Sequence, residues 1–207
     1  MKSIRSCLLP AALAAGLLLV AGCGKIPPTH YYALDAGLPA APASTSLPFD
    51  VAVARFHTPQ LLAQDRVVYR TSPQRVDYYN YHRWSGAPAD LVTDLFLTRL
   101  RRAGLFRSVS SLQGGPKADY LLRGTIEYLE EANSAEGVSA RVALTMEAQD
   151  MKTREVVWSG KGSYEKPVSD RTVEGVVREL NEGVHQSLEQ ITRGLAAHFQ
   201  SQKPVSR

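Results

Sequence analysis

The cleanest pattern in the chain lies over residues 138–148. Val138, Ala140, Val142, Leu144, Met146 and Ala148 alternate with Ser139, Arg141, Thr145, Glu147 and Gln149. A period of two predicts a strand with one buried face and one wet face. Residues 120–130, with Leu122, Ile126 and Tyr128 on one face, and residues 155–164, carrying Val156 and Trp158, predict flanking strands. Turn-forming residues at 133–137 and 150–154 join the three into an antiparallel meander.

Upstream, Phe49, Val51 and Val53 alternate with Asp50 and Ala52, and predict the first strand of the folded domain. Pro59 and residues 60–64 suggest a turn or a single helical turn. Residues 66–71 and 75–84, separated by Ser72-Pro73-Gln74, predict a hairpin. The period then changes. Leu91, Val92, Leu95, Phe96 and Leu100 recur at helical spacing and predict a helix over 88–103. Asp90 in its first turn and Arg101 and Arg102 in its last suit the helix dipole, and Gly104 is a natural stop. Residues 105–109 read as a brief strand.

A second helix is predicted to the end of the domain, with Ser169 or Asp170 as its cap. Its stripe is Val173, Val177, Leu180, Val184, Leu188, Ile191, Leu195 and Phe199. Gly175, Gly183 and Gly194 are costly within a helix, and close packing on the sheet would explain them. Two amphipathic helices on a mostly antiparallel sheet make a two-layer α+β domain over residues 49–200, with a disordered tail at 201–207.

The first 48 residues carry a different message. Lys2 and Arg5, the apolar run from Leu8 to Val20, and then small residues have the layout of a secretory signal over residues 1–22. The run is about half the ~20 residues a membrane-spanning helix needs. Val20-Ala21-Gly22-Cys23 resembles a bacterial lipobox, in which the Cys becomes the acylated first residue of the mature protein. Two or three acyl chains, palmitate among them, hold a protein far more firmly than one. Residues 23–48, with Pro27, Pro28, Pro39, Pro42 and Pro48 among Ala, Ser and Thr, read as a tether. About 25 extended residues reach roughly 75 Å. Within it, Tyr32 and Leu34 in residues 30–35 keep a period of two, and predict a short edge strand.

Without residues 1–22 the chain keeps 185 of its 207 residues, enough for one core. Lys2 and Arg5 leave with the signal, so the formal net charge falls from +4 to +2. No dense basic stripe accompanies it, and nucleic acid is not an expected partner. Cys7 and Cys23 are the two cysteines. With Cys7 removed and Cys23 acylated, neither a disulfide nor cysteine catalysis is available.

Metal and catalytic chemistry have little support. His30, His57, His82, His185 and His198 show no HExxH arrangement and no ligand spacing, so no metal site and no cofactor beyond the lipid on Cys23 is expected. There is no G-x-S-x-G elbow. Gly160-Lys161-Gly162-Ser163 follows a strand and opens no helix, so it reads as a bulged strand end in place of a phosphate loop. Asp90 and Asp94 read as a solvated helix face, and Glu127, Glu130 and Glu131 as a wet strand edge and turn.

The hairpin holds the unusual run, Tyr78-Tyr79-Asn80-Tyr81-His82-Arg83-Trp84. Tyr, Trp and Arg dominate binding hot spots, which makes Tyr78, Tyr79, Tyr81, Arg83 and Trp84 the candidate partner-binding set. The same residues also suit an aromatic cross-strand ladder inside the domain.

Val67-Val68-Tyr69-Arg70-Thr71-Ser72-Pro73, Tyr78-Tyr79 and His82-Arg83-Trp84, with the early Tyr31-Tyr32-Ala33-Leu34, resemble the signature of the ABC-type transport auxiliary lipoprotein family. That resemblance implies a non-enzymatic accessory subunit of a transporter with an MCE-domain protein as partner. Such systems move lipids between the inner and outer membranes. Gly24, in place of a retention-signal Asp, fits delivery to the periplasmic face of the outer membrane. The alternative is a periplasmic lipoprotein that carries lipid in its own cavity, which would need an enclosed apolar pocket. An exposed strand edge also leaves homo-oligomerisation open.

Overall fold

The computed structural model of the chain describes residues 26–35, 46–113 and 117–201. Cys23 and the signal segment therefore lie outside the described residues, as do the Pro39–Pro42 part of the tether and the tail beyond Ser201. The described elements run β1 (His30–Tyr32), β2 (Leu47–Val53), a 3-10 turn at Gln60–Leu62, β3 (Arg66–Ser72), β4 (Arg75–Trp84), α1 (Pro88–Ala103), β5 (Phe106–Ser111), β6 (Tyr120–Ser134), β7 (Gly137–Asp150), β8 (Val156–Pro167) and α2 (Val173–Ser201). The fold is α+β, with eight strands in one open sheet and both helices on one face.

The long strand β6 organises the sheet. One edge is paired with β7 along its whole length, antiparallel, and β7 pairs with β8 in the same sense. The other edge is shared. Parallel β2 takes Tyr120–Leu122, and parallel β3 takes Glu130–Ala132. A further bridge joins His57 to Thr125 between them. The meander is thus the antiparallel body of the sheet. The β3–β4 hairpin and the β2–β5 pair are two arms on its far side, β2–β5 being parallel. β2 is paired on both edges, so Val51, Ala52 and Val53 are all buried despite their alternating pattern.

Residues 30–35 do dock. β1 lies parallel on β4 with His30 opposite His82 and Tyr32 opposite Trp84. Tyr32 and Leu34 pack on the core, while Tyr31 and Ala33 face out. This leaves only residues 24–29 between Cys23 and the sheet.

Both helices follow from their stripes. α1 starts on Pro88 at its first turn and ends at Gly104, whose φ of 60° is a left-handed cap that favours glycine. α2 is capped by Thr172, not by Ser169 or Asp170. The Thr172 hydroxyl accepts from Gly175 N–H at 3.1 Å, and Asp170 accepts in turn from the Thr172 hydroxyl at 2.7 Å. The hydroxyl reaches the third helical amide, which the two earlier residues do not.

The Gly160–Gly162 stretch is regular strand in mid-β8 and not a bulged end. Its register with β7 is continuous. A side chain at Gly162 would sit 2.1 Å from the Ser187 backbone oxygen, so the glycine lets α2 lie directly on the strand. Gly183 does the same from the helix side, where a Cβ would be 2.7 Å from both Tyr164 and Val142.

Candidate functional site

The hairpin run divides between the core and the surface in a way that strand alternation did not give. Register shifts in the β3–β4 ladder re-aim the middle of β4. Trp84 is 1% exposed and among the largest core side chains, so it presents nothing to a partner. Its backbone N–H donates to the Asp65 carbonyl at 2.6 Å. Tyr78 packs on the core and donates its hydroxyl to the Leu61 carbonyl at 3.1 Å. Arg66 lies over its ring, 5.8 Å from the centroid. Arg83 is half-buried and paired with Asp65 at 2.8 Å. Tyr81 alone of the five is more than a third exposed, at 38%.

Tyr79 points inward to a polar network that sequence reasoning missed. Its hydroxyl donates to Glu131 at 2.7 Å, and its ring packs at a tilt against Tyr69, with centroids 4.8 Å apart. Glu131 is 4% exposed and takes a second donor from the Asn133 amide at 2.7 Å. Burial first, and then the bonded Glu131 carboxylate, push the Tyr79 phenol well above its ordinary range.

Beside Tyr79 the His82 ring stacks with His30 and Tyr32, at 5.2 and 5.9 Å. The Tyr32 hydroxyl is 2.7 Å from His82 Nδ1 and 2.9 Å from Glu174 in the first turn of α2. A hydroxyl has one proton; with that proton on Glu174, His82 Nδ1 supplies the other. Burial, and then the Glu174 bond and charge, raise Tyr32 to about 12. Glu174 is held below the usual carboxylate range by its own backbone N–H first and by Tyr32 next. Asp35 N–H then donates to Asn181 at 3.0 Å. Residues 30–35 are thereby latched to both the hairpin and α2. Tyr32 was legible as a strand residue, but its partners lie 50 and 142 residues away.

Glu130 and Glu131 are not a wet edge. Glu130 is 1% exposed on the sheet face turned away from α2, and both its oxygens accept from Arg70, at 2.8 and 3.0 Å. Arg141 stands 3.8 Å from the same carboxylate and stacks on Tyr128 at 3.7 Å. Asp90 pairs with Arg55, while Asp94 is exposed as expected.

No three potential metal ligands converge among the described residues. A hollow of about 750 Å³ among the described residues is open and lies on the sheet face away from the helices. Arg55, His57, Arg123, Glu147 and Lys161 line it. None of the described helices is long and apolar enough to cross a membrane.

The model of the family described as ABC-type transport auxiliary lipoprotein component matches residues 32–192. The chain belongs to that family. It is therefore a lipoprotein-family auxiliary component of an ABC-type transport system. Among solved structures, a Xanthomonas campestris protein assigned to DUF330 superposes with a TM-score of 0.75 at 17% identity, covering 84% of this chain and 100% of its own. An uncharacterised protein superposes at 0.63 with 16% identity, covering 82% and 99%. A PelC dodecamer from Paraburkholderia phytofirmans is more distant, at 0.44 and 18% identity, covering 73% and 94%. No curated protein matches the chain. The auxiliary-lipoprotein match starts at Tyr32, so it takes in the latch residue itself as well as the hairpin and most of α2.

Proposed function

We propose that the protein is a lipid-anchored periplasmic adaptor of an MCE-type ABC system that moves lipids between the inner and outer membranes. Acyl chains on Cys23 hold it to the outer membrane, and the α+β domain captures the MCE-domain protein. Membership of the auxiliary lipoprotein family carries this reading. The character of the hollows supports an adaptor over a lipid carrier. The 750 Å³ hollow is open and has Arg55, Arg123, Glu147 and Lys161 in its lining, whereas an acyl-chain site needs an enclosed apolar wall.

The test is an affinity pull-down of the mature chain from a membrane extract of its own cell, read by mass spectrometry. Recovery of an MCE-domain protein with its transporter subunits is the expected result. A domain that returns with bound lipid and no such protein would favour the carrier. Tyr81→Ala is the informative hairpin variant, because the side chain is exposed and its loss spares the core. Capture lost at unchanged melting temperature would assign the hairpin to the partner; capture retained places the partner on another face. Metabolic labelling with palmitate, compared between the native chain and Cys23→Ala, tests the anchor separately.

A further inference from the structure

Five large apolar side chains stand well exposed among the described residues: Ile26 at 83%, Tyr31 at 67%, Val156 at 52%, Leu112 at 49% and Tyr81 at 38%. Two of them, Tyr31 and Tyr81, lie on paired strands, and a third, Ile26, is close ahead of them in the chain. Ile26 leads into β1, Tyr31 is its central residue, and Tyr81 is on the neighbouring strand, two positions before Tyr31's register partner Arg83. Tyr31 and Arg83 are register partners and share the face opposite Tyr32 and His82, and Tyr81 is exposed beside them on β4.

The covalent path from the anchor ends at the same place. Seven Cα steps separate Cys23 from His30, and at ~3.6 Å each they span at most about 25 Å. Crossing the headgroup layer uses roughly 6 Å of that. A domain of this size is roughly 40 Å across. The long reach expected of residues 23–48 is cancelled because Tyr32 and Asp35 are fastened to Glu174 and Asn181. A tether shorter than the domain fixes which side of the domain meets the lipid.

We infer that the β1–β4 edge, through Ile26, Tyr31 and Tyr81, is a membrane-contact surface that seats the domain on the bilayer interface. This rests on the reading of Cys23 as the anchor. The occupant is the lipid surface, because the tether ends there and the exposed residues suit it. Tyrosine has an apolar ring and a polar tip, and is enriched at the depth of the headgroups. An aliphatic residue beside such rings inserts where an isolated surface residue would not. Leu112 and Val156 lie at the end of β5 and the start of β8, remote from β1 in the strand order.

The experiment uses the mature chain, in which Cys23 is the single cysteine. Its thiol is coupled to a maleimide phospholipid in vesicles of phosphatidylethanolamine and phosphatidylglycerol, or to a soluble maleimide as control. Hydroxyl-radical footprinting then reads each exposed side chain. Tyr31 and Tyr81 are expected to label severalfold more slowly on vesicles, with Leu112 and Val156 unchanged. Equal labelling of Tyr31 and Tyr81 in both forms would overturn the inference. So would protection in the soluble form that rises with protein concentration, which would give the edge to a second copy. A twenty-residue Gly-Ser insertion after Lys25 is expected to restore labelling; protection that persists would overturn the role of the short tether. The coupling is chemical, so the result does not depend on whether the cell acylates Cys23. Failure of the anchor reading would appear only in the palmitate experiment.

Discussion

Arg70 is the residue on which the buried Glu130 charge depends. It fills both carboxylate oxygens, while Arg141 stands off at 3.8 Å and gives no hydrogen bond at that distance. Removing one partner of a buried pair costs about 3–5 kcal/mol, because the remaining charge is left uncompensated. Arg70→Ala is therefore expected to lose ~3 kcal/mol, the lower end, since Arg141 offers part of the compensation. Urea denaturation measures it, and Glu130→Gln in the same background is expected to recover a large share. A loss below about 1 kcal/mol would mean that solvent already screens the pair. Tyr32 gives the pH-dependent counterpart. The latch uses its neutral form, and its folded pKa is raised above the ordinary 10.0 to about 12. Its contribution is thus fully present below pH ~10 and is lost as pH rises through about 12. A phenolate absorbance titration of the native chain against Tyr32→Phe should show one late-titrating group missing. At neutral pH the variant loses a bond of about 0.5–1.5 kcal/mol, and the Ser85 and Asp35 amides, which close on β1 and α2, should exchange faster.

At the scale of elements, the contact between β8 and α2 is set by what is missing from it. Gly162 faces the Ser187 backbone, so an added methyl meets a carbonyl that no rotamer change can move. Overpacking of a close-packed core costs about 1–3 kcal/mol. Gly162→Ala is expected at the upper end of that range, read by thermal melting. Adding Ser187→Gly should not rescue it, because the obstacle is main chain. Rescue would show that the Ser187 side chain, which is buried with no hydrogen-bond partner, is the real constraint. The hairpin illustrates the opposite economy. β3 joins the body of the sheet through only three register pairs with β6, and the buried Glu130 and Glu131 sit at that seam. Polar side chains hold an arm that backbone pairing alone would hold weakly.

For the whole molecule, the order of strands explains how an anchored domain can be oriented. β1 is at one end of the sheet path and β5 at the other, with the meander branching between them. The segment that follows Cys23 joins the sheet at the β1 end. If the anchor holds the β1 edge at the bilayer, as proposed, the β2–β5 arm and the outer edge of β8 lie farthest from the lipid along the strand order. The pull-down with Tyr81→Ala and the footprinting on vesicles bear on the same edge from two sides. Retained capture together with protection on vesicles is the combined outcome expected here.

The sequence by itself determined the elements. The period of two over residues 138–148 and the helical stripes of Leu91–Leu100 and Val173–Phe199 depend on neighbours within one strand or two turns, and the observed β7, α1 and α2 carry them. Pro88 and Gly104 marked the first helix to the residue, because their backbone preferences are local. The docking of Tyr32 and Leu34 was legible for the same reason. What only the tertiary structure decided is which side chains meet. Glu130 and Glu131 read as solvated because the donors that bury them, Arg70 on β3 and Tyr79 on β4, are distant in sequence. The fate of Tyr78–Trp84 turned on register shifts between β3 and β4, and a one-residue shift exchanges the faces of a strand. The fastening of residues 32–35 to α2 was hidden likewise, since composition describes a free chain, while Glu174 and Asn181 reach it from across the fold.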